Sequence, residues 1–78
     1  NSLVTQVVTQ DFAAKVLSNE QCIVEIFKPD CDACHYNALM FDALSQKMHK
    51  HGLLDKVPLY RMRLDNLCPY LGRFLYAP

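Results

Sequence analysis

The chain has 78 residues, of which 51% are hydrophobic and 21% are charged, and its formal net charge is zero. A chain of this length forms at most one small domain, because it buries only about 60% of its unfolded surface. Its charge balance does not suggest a nucleic-acid or anionic-membrane partner, and its apolar runs are too short for a transmembrane segment.

The first part of the chain alternates between strand-like and helix-like patterns. Residues 3–8 are rich in β-branched side chains and predict a first strand. Apolar residues at helical spacing from Phe12 onward predict a short helix that ends near residues 18–19. The run from Cys22 to Lys28 is mostly apolar, ends before Pro29 and predicts a short buried second strand.

A long amphipathic helix is predicted from about His35 to Lys50, a stretch without Gly or Pro. Its apolar stripe recurs at every fourth position, at Tyr36, Met40, Leu44 and Met48. We expect this stripe to pack in the core. Gly52 follows the helix and suits its C-terminal cap.

The last part of the chain predicts a third strand over residues 57–65 and a short helix over residues 67–74, capped by Asn66, with residues 75–78 extended. The order is therefore β-α-β-α-β-α, which predicts an α/β fold with parallel strands and right-handed crossovers. Residues 1–78 form one domain in this interpretation. Cys22 and Cys68 are interpreted as structural thiols.

Two cysteines, Cys31 and Cys34, lie where the second strand gives way to the long helix. A helix N-terminus carries unpaired N–H groups and about half a positive charge, which stabilise an anion such as a thiolate. The pair can close a disulfide and can also open one by attack and resolution. We expect Cys31, at the tip, to be the more exposed thiol.

The segment Val24-Glu25-Ile26-Phe27-Lys28-Pro29-Asp30-Cys31-Asp32-Ala33-Cys34 resembles the active-site segment of the thioredoxin and protein disulfide isomerase superfamily. In that family an apolar strand with one acid runs through a proline into C-x-x-C. Glu25 falls at the position of the buried acid, and Glu is typical of the disulfide isomerase branch. The resemblance implies a thioredoxin-like fold, with the third strand between the first two, and an oxidoreductase acting on protein thiols and disulfides. It implies no cofactor and no metal.

The resemblance also implies a role for each site residue. Cys31 would attack a substrate disulfide, Cys34 would resolve the mixed disulfide, and Glu25 would accept a proton from Cys34. Pro78 lies about where the family has its substrate-docking cis-proline. Asp30 is a candidate substrate contact and a candidate helix N-cap.

Departures from the family pattern favour a second hypothesis. Asp30, Asp32 and Ala33 stand where the family usually has an aromatic residue and Gly-Pro or Gly-His. The two carboxylates oppose a thiolate at Cys31, unless the neighbouring cations offset them. The alternative is a catalytically weak thioredoxin-like module that serves as a structural or interaction subunit of a larger assembly.

The family domain continues with a C-terminal β-hairpin and a helix that this chain lacks. The strand carrying Glu25 is then expected at a sheet edge, covered either by further sequence or by a partner subunit. The chain starts at Asn1 rather than Met, which is compatible with removal of a targeting sequence for the secretory pathway or an organelle. The compartment itself stays unknown from the sequence.

Two other chemistries use the same cysteines. Cys31 to His35 also spells the C-x-x-C-H attachment signature of c-type haem, but a β-branched strand before it is not typical of cytochromes. Its axial ligands would be His35 and one methionine among Met40, Met48 and Met62. Zinc would need Cys31, Cys34, His35 and a fourth ligand from Cys68, His49 or His51. The two histidines lie near the far end of a helix about 20 Å long, which opposes this set.

Overall fold

The computed structural model describes residues 2–67, which form a mixed α/β fold. The strands are β1 (Thr5–Val7), β2 (Ile23–Phe27) and β3 (Leu59–Arg63), and the long helix α1 spans Asp32–Lys50. A 3₁₀ turn (Thr9–Asp11) and a π-helical segment (Ala13–Leu17) stand where one short helix was expected. Residues 64–67 are helical, so the third strand ends before residues 64 and 65, which were predicted to belong to it. Most of the predicted last helix, with Cys68, and the predicted extended tail, with Pro78, lie outside the described residues.

The three strands form one parallel sheet in the order β1-β3-β2. The prediction of parallel strands with the third one in the centre is confirmed. Glu25 on β2 stands in register with Arg61 on β3. Within residues 2–67, β2 pairs with β3 alone and is an edge strand, where Ile23 and Ile26 are exposed.

The main apolar cluster lies on one face of this sheet, while Leu59, which is also buried, lies on the other face. Registered residues of neighbouring strands share a face, so Val7, Val24, Tyr60 and Met62 point to the same side. The π-helical segment and the helical residues 64–67 cover that side. The buried cluster there consists of Val7, Phe12, Val16, Tyr60, Met62 and Leu67, with Cys22 and Val24 packed against it. Cys22 thus contributes to packing, as predicted.

Helix α1 covers the opposite face, where β2 and β3 place Glu25 and Arg61. The prediction that the stripe packs in the core is wrong for Tyr36, Met40 and Leu44, which are 65%, 58% and 40% exposed, whereas its fourth member, Met48, is partly buried. The charges on the sheet explain the difference, because they need polar partners from the helix. Asp42 and the carbonyl of Ala38 supply them. Those residues lie on the side of α1 away from the stripe.

Ser45 connects α1 to the segment that precedes β1. Its side chain is fully buried, donates to the Asp42 carbonyl at 2.6 Å and accepts from the Leu3 N–H at 3.1 Å. A hydroxyl that satisfies both roles can be buried without loss. The N-terminal segment is thereby fixed to the helix.

The end of α1 is the one expected from Gly52. The Gly52 N–H donates to the His49 carbonyl at 3.0 Å and the Leu53 N–H donates to the Met48 carbonyl at 2.9 Å. Gly52 adopts a φ of 70°, which glycine allows without the strain of a Cβ atom. The predicted cap is confirmed. None of the helices within residues 2–67 has both the length and the apolar character needed to cross a membrane.

The predicted role of Asn66 as a helix cap is wrong. Asn66 lies inside the helical turn 64–67. Its backbone carbonyl and its Oδ1 accept from the Thr9 hydroxyl at 2.7 and 3.0 Å. Asn66 therefore connects the last described turn to the segment after β1.

Candidate active site

The two cysteines of the C-x-x-C motif form a disulfide across the first turn of α1. Cys31 is the N-cap residue with extended backbone, and its Cα lies 5.1 Å from that of Cys34. The strand β2 ends at Phe27 and a short turn brings the chain to Cys31. Both sulfurs are therefore held at the junction of a parallel strand and a helix, as the sequence predicts.

The sulfur of Cys31 caps the helix. Its Sγ accepts a hydrogen bond from the backbone N–H of Cys34 at 3.1 Å, and the Cys31 carbonyl accepts from the His35 N–H at 3.2 Å. The expectation that Asp30 would be the N-cap is wrong, because the cap is one residue later. This hydrogen bond would stabilise a thiolate at Cys31, because the Cys34 N–H already points at its sulfur.

Four ionisable residues surround the disulfide in sequence: Lys28, Asp30, Asp32 and His35. All four are exposed. None of the ion pairs found within residues 2–67 joins Lys28 or His35 to either carboxylate. The two carboxylates therefore oppose a negative charge on Cys31, while the helix N-terminus favours it.

Beneath α1, Arg61 connects both neighbouring elements to β3. Its Nε donates to Glu25 Oε1 at 2.5 Å, and its Nη2 donates to Asp42 Oδ1 at 2.8 Å and to the Ala38 carbonyl at 3.3 Å. The side chains of Arg61 and Glu25 are only 19% and 11% exposed. Glu25 is thus mostly buried and ion-paired with Arg61.

The network stabilises the charged forms of Asp42 and Arg61. The Ser2 hydroxyl and the Arg61 guanidinium hold the pKa of Asp42 below its usual value, against the effect of burial. Burial lowers the pKa of Arg61, but the hydrogen bonds to Glu25 and Asp42 and the charges of these two acids together raise it more, and the net shift is upward. Arg61 therefore stays charged beneath the helix.

A groove with a volume of about 400 Å³ opens next to the disulfide loop. It lies at the carboxyl ends of β2 and β3, where ligands of open parallel sheets usually bind. The residues that line it are Phe27, Lys28, Pro29, Asp30, Arg63, Leu64 and Asp65. Arg63 and Asp65 are joined there by two hydrogen bonds of 3.1 and 3.0 Å. The groove thus has apolar walls and a charged rim, and it reaches the residue before Cys31.

The structure places the other predicted site residues as follows. Asp30 lines the groove, and Pro78 lies outside the described residues. Met62, a candidate axial haem ligand, is fully buried in the core. No group of three His, Cys, Asp or Glu side chains within residues 2–67 is arranged to hold a metal ion.

Arg61 and Asp42 were missed at the sequence level. The available signal was a pair of acids, one in the apolar strand and one on the helix, that had no assigned cation. Arg61 alternates with core residues on β3 and was the basic side chain able to meet both.

Comparisons of this chain with models of protein families, with curated proteins and with solved structures find no match. The functional conclusion therefore depends on the residues themselves. They provide a disulfide at a helix N-terminus, a buried acid paired with Arg61, and a groove beside Cys31.

Proposed function

We propose that the protein is a thiol-disulfide oxidoreductase of the thioredoxin superfamily, acting on protein thiols and disulfides. The observation that carries the proposal is the Cys31–Cys34 disulfide across the first turn of α1, with the Cys34 N–H donating to Cys31 Sγ. The sheet order β1-β3-β2 supports it as well, since the family resemblance implies this order.

In the reducing direction, the thiolate of Cys31 attacks one sulfur of a substrate disulfide. A mixed disulfide forms and the other substrate sulfur leaves as a thiolate, which takes up a proton. The thiolate of Cys34 then attacks Cys31 Sγ, which releases the second substrate sulfur and forms the Cys31–Cys34 disulfide. Two electrons and two protons pass from the dithiol to the substrate, and the reverse sequence oxidises a substrate dithiol.

The helix N-terminus raises the fraction of Cys31 that is present as the reactive thiolate. The hydrogen bond from the Cys34 N–H is stronger when the acceptor sulfur is charged, because charge-assisted hydrogen bonds are about twice as strong as neutral ones. The macrodipole of α1 acts in the same direction. Asp30 and Asp32 act in the opposite direction, so their charges set the balance.

Glu25 is the proposed proton acceptor for Cys34. Its carboxylate lies on the sheet face that α1 covers, and α1 is the helix that carries Cys34. In this role Arg61 positions the carboxylate by its hydrogen bond to Oε1. The groove that includes Asp30 is the proposed docking surface for the substrate segment next to its disulfide, with Pro78 as a further proposed contact.

An insulin-reduction assay with single cysteine variants tests the proposal. We expect Cys31→Ser and Cys34→Ser to abolish turnover, while Cys22→Ser, the matched control, retains it. The Cys34→Ser variant should also accumulate a mixed disulfide with the substrate, and Cys31→Ser should not. Equal activity of all three variants, or no turnover by the unmodified chain, would contradict the proposal.

The role of Glu25 needs a test that separates chemistry from folding. Glu25→Gln keeps an oxygen acceptor for Arg61 but cannot take up the proton. We expect slower release of the mixed disulfide and an unchanged rate of Cys31 alkylation. If both rates fall together, or neither changes, Glu25 is not the proton acceptor.

A second candidate is a structural or interaction module without catalysis. The carboxylates of Asp30 and Asp32 beside Cys31, which have no ion pair within residues 2–67, favour it. Alkylation of the reduced chain at neutral pH distinguishes the two. An oxidoreductase should alkylate at Cys31 faster when folded than when unfolded in urea, whereas a module without redox chemistry should show no such increase.

A further inference from the structure

The exposed members of the apolar stripe and the neighbouring Leu39 form one apolar surface on the outer side of α1. Its members stand at positions i, i+3, i+4 and i+8 and therefore share one side of the helix. They are Tyr36, Leu39, Met40 and Leu44, which are 65%, 69%, 58% and 40% exposed. Within residues 2–67, nothing covers this stripe, because α1 contacts the sheet through its opposite side. Contiguous apolar surface rimmed by charge is typical of an interaction site.

The charges at the two ends of the stripe have opposite signs. Asp32 lies in the first turn of α1, and Lys47 and Lys50 lie in its last turn. At about 100° per residue, these three positions fall on the same side of the helix as the stripe. All three are exposed. The outer side of α1 is thus acidic at its start, apolar in its middle and basic at its end.

This arrangement is complementary to itself when turned end to end. In an antiparallel pair of α1 helices related by a two-fold axis near Met40, Tyr36 of one copy faces Leu44 of the other. Asp32 then lies beside Lys47 of the second copy, and the opposite helix dipoles also align favourably. A parallel pair would place like charges together at both ends. Isologous pairing of one surface with itself is the commonest form of association in soluble proteins.

We propose that the apolar stripe of α1 is the interface through which this chain binds a second copy of itself, with the two helices antiparallel. The pairing is independent of the proposed redox activity. Four apolar side chains a copy make a small interface, and the association is therefore weak and concentration-dependent. The charged ends make it weaker at high salt as well.

Sedimentation velocity on the 78-residue chain, from about 5 to about 500 μM, tests the pairing. The expected result is a monomer–dimer equilibrium. The double variant Leu39→Ser/Met40→Ser should raise the dissociation constant at least about tenfold, because it removes apolar area from both sides of the interface. Leu53→Ser is the matched control, since Leu53 is 46% exposed and lies outside the stripe. A non-reducing gel excludes dimers held by intermolecular disulfides.

A charge exchange tests the antiparallel orientation. Asp32→Lys gives a helix that is basic at both ends, and Lys47→Glu/Lys50→Glu gives one that is acidic at both ends. Each variant alone should associate at least about fivefold more weakly than the unmodified chain, and their equimolar mixture should associate again. Circular dichroism of each variant checks that α1 is still folded.

Several results would overturn the proposal. A chain that stays monomeric at every concentration shows that a second copy does not cover the stripe. A dimer that the Leu39→Ser/Met40→Ser variant does not weaken uses another surface. If the two charge variants associate alone as well as the unmodified chain does, the helices are not antiparallel.

Discussion

Arg61 is a residue whose loss should affect this fold strongly. It donates three hydrogen bonds, to Glu25, Asp42 and the Ala38 carbonyl, and it thereby joins β2, β3 and α1. The substitution Arg61→Met keeps most of the apolar stem and removes the charge. Glu25, which is 11% exposed, then loses the cation that holds its carboxylate under the helix.

The size of the effect follows from this burial. Breaking a buried pair by removing one partner costs about 3–5 kcal/mol, and the partial exposure of both groups places Arg61→Met near the lower end, at about 3 kcal/mol. A chain of this length has a total stability of about 4–12 kcal/mol. At a urea dependence of about 1 kcal/mol per molar, the unfolding midpoint falls by about 3 M.

Urea unfolding followed by circular dichroism measures the loss. The matched control is Arg63→Met, two residues along the same strand, where the ion pair with Asp65 is 42% and 65% exposed. We expect that control to lose at most about 0.5 kcal/mol. The double variant Glu25→Met/Arg61→Met should be more stable than Arg61→Met alone, because the mostly buried Glu25 carboxylate is no longer left unpaired, while Asp42, which is 31% exposed, lacks its cation in both variants. The reasoning is refuted if Arg61→Met costs no more than Arg63→Met, or if the second substitution destabilises further.

Three further predictions follow from the site and the helix ends. Asp32→Asn should raise the rate at which iodoacetamide alkylates Cys31 in the reduced chain about two- to fivefold at low salt, because a like charge next to the thiolate is removed. An unchanged rate would show that the Asp32 carboxylate does not influence the sulfur. Gly52→Ala should cost about 1 kcal/mol in urea unfolding, since φ is 70° there and a Cβ would meet no neighbouring atom, so strain is the whole effect. Because the pKa of Asp42 is lowered in the folded chain, its contribution to stability is present above the ordinary carboxyl pKa and is lost as pH falls through the lower folded value. Asp42→Asn should therefore flatten the decrease in Tm at acid pH, and its Tm should differ less from that of the unmodified chain at low pH than at pH 7.

The strands and the disulfide could be predicted from the sequence because both depend on local patterns, whereas the order of the strands in the sheet was implied by the family resemblance. β2 is a short apolar run bounded by Pro29, and the C-x-x-C spacing at a helix start brings both sulfurs within bonding distance. The cap at Gly52 is also local. The irregular helical segment after β1 was not predicted, since a periodic apolar pattern does not distinguish an α-helix from 3₁₀ and π turns.

The orientation of α1 could not be read from its own residues. Apolar side chains occur on two sides of this helix, with Phe41 and Met48 partly buried and the stripe around Met40 exposed. The contacts of Arg61 determine which side faces the sheet, and Arg61 is 19 residues from Asp42 and 36 from Glu25 in sequence. The spacing of apolar residues shows which sides of a helix are apolar, but it does not show the free-energy cost of leaving a cation beneath the helix without polar partners. With Asp42 and Ala38 directed toward Arg61, the apolar stripe of α1 faces outward. This orientation exposes the surface through which we propose that two copies associate.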